Sequence, residues 1–170
     1  MKQLILFISI AIVPGISFAQ SKVKVFAYKQ AALPATRKTT IEEGGQPKTL
    51  PPKPSFSHLI YLTVPTKKDV QPKHAWLNGK WYSLTATTKS SPVVLSHPSL
   101  PAIRTDTLVK STAGTVLQLA LHESADTFDP PGKVKSKMKS NELVVHTIEK
   151  GKDCYYYIKA LKSLEPEVLQ

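Results

Sequence analysis

The chain has 170 residues, with 23 lysine and arginine residues against 12 acidic ones, a formal net charge of +11 and a single cysteine, Cys154. This length makes one ordinary domain with a sizeable core, so stability does not require disulfides, and the single cysteine excludes an internal bridge. The positive charge bears on partners and solubility, and not on fold.

The first nineteen residues have the three parts of a secretory signal peptide. Lys2 supplies a positive charge, an apolar run covers Leu4–Val13 with one interruption, and small residues occupy both cleavage-site positions in residues 17–19. The run is too short to span a bilayer of roughly 30 Å, which needs about 20 apolar residues. A buried N-terminal helix or strand is the alternative. We expect cleavage before Gln20 and export of residues 20–170 as a single β-rich domain, periplasmic or extracellular, without a transmembrane segment.

The mature chain begins with a strand pattern and continues into a proline-rich region. Charged and apolar residues alternate over Lys22–Tyr28, which predicts a first strand. Residues 30–55 contain five prolines and a Gly-Gly pair, which prevent a long regular element. Within this region, Thr39–Glu42 is a candidate edge strand and Gly44–Pro54 is expected to be an extended loop with polyproline character. Connections of this length are usually functional or disordered, and the sequence leaves both open.

The clearest local pattern is a β-hairpin centred on Asn78-Gly79. A β-rich run over Phe56–Val64 precedes it, and apolar and aromatic residues flank it on both sides. Asn and Gly both tolerate the positive φ angles of a two-residue type I′ turn, which makes this pair a strong hairpin signal. The turn would place Trp76 opposite Trp81, and such pairs contribute about 0.2–1 kcal/mol.

The rest of the chain predicts further strands and no convincing helix. The candidate strands are Pro92–Ser96, Ile103–Val109, Thr115–His122, Leu143–Ile148 and Cys154–Leu161. The last two would pair across a five-residue loop, residues 149–153. At the end of the chain, Leu161–Leu169 is expected to form at most a turn of helix, limited by Pro166. The total is eight or nine strands.

Fourteen prolines and short strands about ten residues apart favour an all-β fold, specifically an antiparallel β-sandwich, over a parallel α/β fold. A small β-barrel is the alternative. Over residues 56–161 the pattern resembles the immunoglobulin-like sandwich domains of exported proteins. The disulfide and tryptophan spacing of antibody domains is absent, so the resemblance implies nothing about function. Cys154 precedes a strand-like aromatic run, which favours its burial as a small apolar residue over pairing between two chains.

No catalytic or metal-binding motif stands out, and no cofactor is expected. The pairs at residues 57–58 and 96–97, each Ser-His, lack the Gly-x-Ser-x-Gly context of a serine hydrolase. The five histidines are scattered, without the short ligand spacing of zinc sites. The enzymatic alternative is an exported hydrolase or metal-dependent enzyme whose site is assembled from distant residues. Its candidates are His122, Glu123 and His146.

Lysine alternates with other residues over Lys133–Lys139, which is the most unusual local pattern. As a strand, this segment would place four lysines on one face, suited to contact a phosphate or polyanion. A lysine-protected edge strand or a mobile solvated loop is the alternative. The candidate binding residues are Lys133, Lys135, Lys137 and Lys139, with Trp76 and Trp81 if the hairpin is exposed.

These observations favour a non-catalytic binding or assembly module of the cell envelope. The partner would be an envelope protein or an anionic surface polymer, recognised through loops or an exposed strand edge. Nucleic acid is not an expected partner because the chain carries an export signal. A structural subunit or a small-molecule carrier is the remaining alternative.

Overall fold

The structure, a computed structural model, describes residues 22–34, 39–41, 47–49, 55–97, 104–123 and 128–169. In these ranges the chain forms twelve strands and one helix, which confirms the prediction of an all-β protein. The strands are β1 (Lys24–Pro34), β2 (Thr39–Ile41), β3 (Pro47–Thr49), β4 (Ser55–Val64), β5 (Val70–Leu77), β6 (Lys80–Lys89), β7 (Val93–His97), β8 (Arg104–Val109), β9 (Thr115–Glu123), β10 (Leu143–Glu149), β11 (Lys152–Ile158) and β12 (Lys162–Leu169). The helix is α1 (Gly132–Met138). The predicted signal peptide, residues 1–19, lies outside the described residues.

Eight of the strands form one sheet in the order β11-β10-β5-β6-β9-β4-β1-β12. Neighbouring strands are antiparallel except for the parallel pair β1 and β12. A flat sheet of this size would separate its edge strands by roughly 34 Å, seven spacings of about 4.8 Å. Only residues 159–161 connect β11 to β12, and this connection reaches at most about 15 Å. The sheet therefore curls until its two edges approach each other.

The inner face of the curled sheet carries the largest core. Alternate residues of each strand point to this side, as in β4, where Ile60, Leu62 and Val64 are at most 5% exposed. Residues from both halves of the sheet pack together here because the curl brings the halves close. The buried members of this core are Val23, Ala27, Ile60, Leu62, Val64, Val70, Ala75, Leu77, Leu119, Leu143, Val145 and Leu161.

The outer face is covered in two places by different elements. Over β1, β4 and β9 lies the hairpin β7–β8, a separate two-stranded sheet that buries Leu108 and Val109 in one cluster with Tyr61. Over β5, β10 and β11 lies helix α1, which buries Val134 and Met138 in a second cluster. The same face of one sheet therefore has a β-cover at one end and a helical cover at the other.

The predicted hairpin at Asn78-Gly79 is confirmed and joins β5 to β6. The φ angles of these residues are 52° and 84°, the positive values that a type I′ turn requires. Trp76 and Trp81 are register partners, with ring centroids 5.7 Å apart. Turn chemistry alone was therefore sufficient to set this register.

Two predictions near the end of the chain are wrong. The loop predicted for residues 149–153 is a two-residue turn, Lys150-Gly151, with φ angles of 50° and 75°, because the strands extend further than expected. The turn of helix predicted for residues 161–169 is strand β12, which pairs with β1. Pro166 lies where the register of this edge pair shifts, a position that tolerates a residue without an N–H donor.

The strand considered for Lys133–Lys139 is also wrong, because the segment forms helix α1. Val134 and Met138 are four residues apart and therefore lie on the same side of a helix, where they are 5% and 9% exposed. None of the helices in the described part of the chain has the length and apolarity that crossing a membrane requires.

The proline-rich region is partly regular. Strand β1 continues to Pro34, and β2 matches the predicted edge strand at Thr39–Glu42. It pairs with β3, residues 47–49, which lies inside the segment expected to be an extended loop. The predicted loop also includes residues outside the described ranges, namely 44–46 and 50–54.

Cys154 lies on β11 and is free and half-buried. Burial raises the pKa of its thiol, with the nearby Glu149 acting in the same direction. The thiol therefore stays protonated and is a weak nucleophile at neutral pH. This environment agrees with partial burial as a small apolar residue.

Candidate functional site

Helix α1 rests on a platform of aromatic side chains on the outer face. Val134 and Met138 pack with Val144 of β10, which is fully buried. The half-buried rings around this contact are Trp76, Trp81, Tyr155 and Tyr157. Burial raises the pKa of both tyrosines, so their hydroxyl groups remain protonated at neutral pH.

The tryptophan pair was a candidate contact only if its hairpin is exposed. Trp76 and Trp81 are instead half-buried and pack in the cluster that seats α1. They are brought together with the candidate lysines, since both sets belong to the same end of the outer face. The two tryptophans pack between the sheet and the buried side of helix α1.

All four candidate lysines are exposed: Lys133, Lys135, Lys137 and Lys139. In a strand they would extend over about 20 Å, whereas the helix compresses them into about 9 Å of axial rise. Lys135 Nζ lies 2.5 Å from Asp129 Oδ1, and Lys137 Nζ lies 5.2 Å from the centre of the Tyr157 ring. Lys133 and Lys139 form no ion pair with any described residue. The helix therefore carries two pairs of lysines on opposite flanks, Lys133 with Lys137 and Lys135 with Lys139, and we call the four together the α1 lysine patch.

Local electrostatics oppose this helix at its start, although Lys135 and Lys137 in its last turn are favourably placed for the helix dipole. Its first turn contains no acidic residue, although the N-terminal end of a helix favours negative charge. Lys133 and Lys137, one turn apart, repel each other, and such like-charge pairs cost about 0.2–0.5 kcal/mol. Packing on the aromatic platform and the Asn141 side chain, whose Nδ2 donates to Lys137 O at 2.7 Å, hold the helix instead. The charges are thus concentrated at some cost to local stability.

A stack of rings extends the platform on the side of β5 and β10. Phe128 stacks on His74 and His146, with centroid distances of 4.3 and 4.9 Å, and meets Trp81 edge-on at 4.9 Å. His146 also stacks on Tyr155 at 4.8 Å. Phe128 therefore covers the two histidines and joins them to the seat of α1.

The two histidines share a hydrogen-bonded chain with an aspartate. Their Nδ1 atoms are 3.2 Å apart, and His146 Nε2 lies 2.8 Å from Asp153 Oδ1. One Nδ1 must donate while the other accepts, so the His74–His146 contact contains a single proton. His146 is 4% exposed, and its Nε2–H donates to the carboxylate.

The three residues considered for an enzyme do not converge. One row of register partners crosses β10, β5, β6 and β9, and it consists of His146, His74, Ser83 and His122. Three strand spacings therefore separate His146 from His122, roughly 14 Å. Glu123 is adjacent to His122 on the strand and points to the other face. The Nε2 atom of His122 instead contacts Thr85 Oγ1 at 2.8 Å.

The Ser-His pairs also find partners other than each other. Ser57 Oγ donates to Gln30 O at 3.4 Å, and burial lowers the pKa of His58. His97 Nε2 lies 3.3 Å from Asp106 Oδ2. Among the described residues, no group of three or more His, Cys, Asp or Glu side chains could hold a metal ion.

Sequence reasoning missed His74, Phe128 and Asp153. His74 lies two residues before Trp76, so extending the strand periodicity of the predicted hairpin back by one residue would have placed it on the tryptophan face. Phe128 and Asp153 had no such signal, because their contacts depend on how α1 and the β10–β11 turn are placed. No protein-family model, curated protein or solved structure matches this chain.

Proposed function

We propose that the mature chain is an exported, non-catalytic binding module of the cell envelope, periplasmic or extracellular, that holds an anionic polymer on the α1 lysine patch. The observation that carries this proposal is the seating of α1. Two apolar residues fix the helix to an aromatic platform, while all four lysines point to solvent. An envelope protein with an acidic surface is the alternative partner.

The energetics of the patch support an anionic ligand. Like-charge repulsion between lysines one turn apart in α1 weakens when negative charge binds nearby. Lys133 and Lys139 have no ion-pair partner among the described residues, so a ligand need not displace one. Binding would therefore relieve existing repulsion and compete with only one ion pair, that of Lys135 with Asp129.

The shape of the patch favours a polymer over a small anion. The lysines surround a convex helix about 9 Å long, and a surface of this kind does not enclose a single small ion. A flexible polymer with repeated charges can follow it and contact several lysines at once. We further propose that the curled sheet encloses its inner core in the manner of an antiparallel sandwich, which leaves the outer face free to carry this surface.

The test compares two variants with equal loss of charge. One replaces Lys133, Lys135, Lys137 and Lys139 with Gln. The control replaces four other exposed lysines: Lys67, Lys73, Lys80 and Lys89. Binding of dextran sulfate is measured at low and at physiological salt by calorimetry. Exposed contacts of about 0.2–1 kcal/mol each predict a loss of roughly fourfold or more for the patch variant only. Equal losses in both variants would contradict a specific site, since net charge alone would then explain binding.

A further inference from the structure

A second, separate site lies at the other end of the outer face. A groove of about 550 Å³ opens between β1 and β4 on one side and β8 with the following loop, residues 110–114, on the other. This volume falls within the range of about 300–1,000 Å³ that is usual for small-molecule sites. No part of α1 or of its lysine patch lines it.

The floor of the groove is apolar. The apolar side chains that line it are Phe26 and Tyr28 of β1 and Leu108 and Val109 of β8. The hydroxyl of Tyr28 donates to Leu108 O, which ties the hairpin to the sheet across the bottom of the groove. Tyr28, Leu108 and Val109 are at most 7% exposed, so the apolar part of a ligand would rest mainly on the half-buried Phe26 ring.

The rim of the groove is basic. Lys22, Lys24 and Lys110 line it and are exposed, and none of the described residues that line it is acidic. Lys22 and Lys24 are two residues apart and therefore point to the same face. The three ammonium groups form no ion pair with any described residue. The hydroxyl of Thr63, which also lines the groove, has no hydrogen-bond partner within the described part of the chain.

The loop at residues 110–114, which forms the wall opposite the sheet, is held in place by hydrogen bonds within the protein. Thr66 Oγ1 donates to Ala113 O at 3.0 Å, and Ser91 Oγ donates to Thr112 O at 3.2 Å. Gly114 approaches the backbone so closely that an added Cβ would lie 2.4 Å from Val64 O. The loop is therefore packed against the end of β4, and the groove is formed before any ligand arrives.

We propose that this groove binds a small amphipathic anion, with its apolar body on the Phe26–Leu108 floor and one carboxylate at the lysine rim. The apolar floor selects the body, and three unpaired lysines select the charge, with no acidic residue among those that line the groove. The walled shape distinguishes this ligand from the polymer proposed for the α1 lysine patch. The inference does not depend on that function, since the two sites share no residue.

The experiment titrates decanoate into the protein and follows backbone amide signals by NMR. Decyltrimethylammonium and decanol serve as probes with the same chain and a positive or absent charge. Replacing Lys22, Lys24 and Lys110 with Gln tests the rim, and Thr63→Phe fills the groove without changing charge. The matched control is the variant with four Gln residues in α1, which removes more charge at a distance from the groove.

We expect decanoate to shift amides of residues 63–66 and 107–114 and to bind about tenfold more weakly to the rim variant. Thr63→Phe should abolish these shifts, and the α1 variant should leave them unchanged. The proposal is overturned if decanol or decyltrimethylammonium binds as tightly as decanoate, or if the rim variant keeps full affinity. It is also overturned if dextran sulfate, and not decanoate, produces the shifts at the groove.

Discussion

The two ends of the outer face show how one sheet surface acquires differently shaped basic surfaces under different covers. Helix α1 lies on stacked and tilted rings, so its end is filled and the lysines remain outside. The hairpin β7–β8 is tied down through Tyr28, and beside this anchor a groove stays open with lysines at its rim. Positive charge therefore lies on a convex surface at one end and around a concavity at the other. Net charge alone, +11 for the whole sequence, does not reveal this division.

The largest expected effect comes from unseating the helical cover. Val134→Asp places an unpaired charge in the apolar contact with Val144 and should lower the free energy of unfolding by about 3 kcal/mol or more. Ser136→Asp, two residues away and exposed, introduces the same charge and should change it by less than about 0.5 kcal/mol. Urea unfolding followed by tryptophan fluorescence measures both. Similar values for the two variants would show that α1 is not seated on the platform.

The second largest effect on stability is expected at the hairpin β7–β8, which covers the other end of the outer face. Tyr28→Phe removes the donor to Leu108 O and leaves a buried carbonyl unsatisfied, which should cost about 1–2 kcal/mol. Hydrogen exchange should accelerate in β8, residues 104–109, and stay unchanged in α1. Faster exchange in both elements would show that the stabilities of β7–β8 and α1 are coupled, which would contradict their independence.

The hydrogen bond between Glu142 and Leu161, near the two edge strands of the sheet, predicts that the stability of the whole fold depends on pH. Leu161 N donates to Glu142 Oε2 at 2.7 Å, and this bond, aided by Lys29 Nζ at 3.1 Å from Oε1, lowers the pKa of Glu142. This stabilisation is complete above the carboxyl's unfolded pKa of about 4.3 and is lost as pH falls through the lower folded value.

Burial lowers the pKa of His58, so stability also declines as pH falls below about 6.5.

Glu142→Gln should therefore reduce stability by about 1 kcal/mol at pH 7, and the difference from the wild type should shrink toward pH 3. Thermal unfolding from pH 3 to pH 8 measures it, with Glu165→Gln, an exposed partner of Arg104, as the control. A difference that stays constant across this range would contradict the assignment to the Glu142 carboxylate.

The parts of the fold that sequence predicted are those that local chemistry determines. Asn78-Gly79 set the hairpin and its tryptophan pair, because a type I′ turn needs only the two residues that adopt positive φ. Helix α1 was missed because lysines at every second position mimic a strand. Its helical signal consists only of Val134 and Met138, four residues apart. Pro166 similarly concealed strand β12, since the register shift that accommodates a proline depends on its neighbour β1.

The candidate sites were less predictable because they depend on contacts distant in sequence. The lysines of α1 and the tryptophans were both candidates, yet their common location follows from packing across β5 and β10. The groove joins Lys22 and Lys24 to Lys110 only because the hairpin β7–β8 folds over β1. Strand order and curl, which no local pattern encodes, create that proximity.

The most direct test of the two proposed anion sites is a crossed titration. Dextran sulfate and decanoate are each titrated into the α1 variant with Gln at its four lysines and into the rim variant with Gln at Lys22, Lys24 and Lys110. If the sites are separate, the α1 variant loses roughly fourfold or more in affinity for the polymer and the rim variant loses about tenfold for decanoate, with each variant retaining the other ligand. Equal losses of both ligands in both variants would contradict this separation.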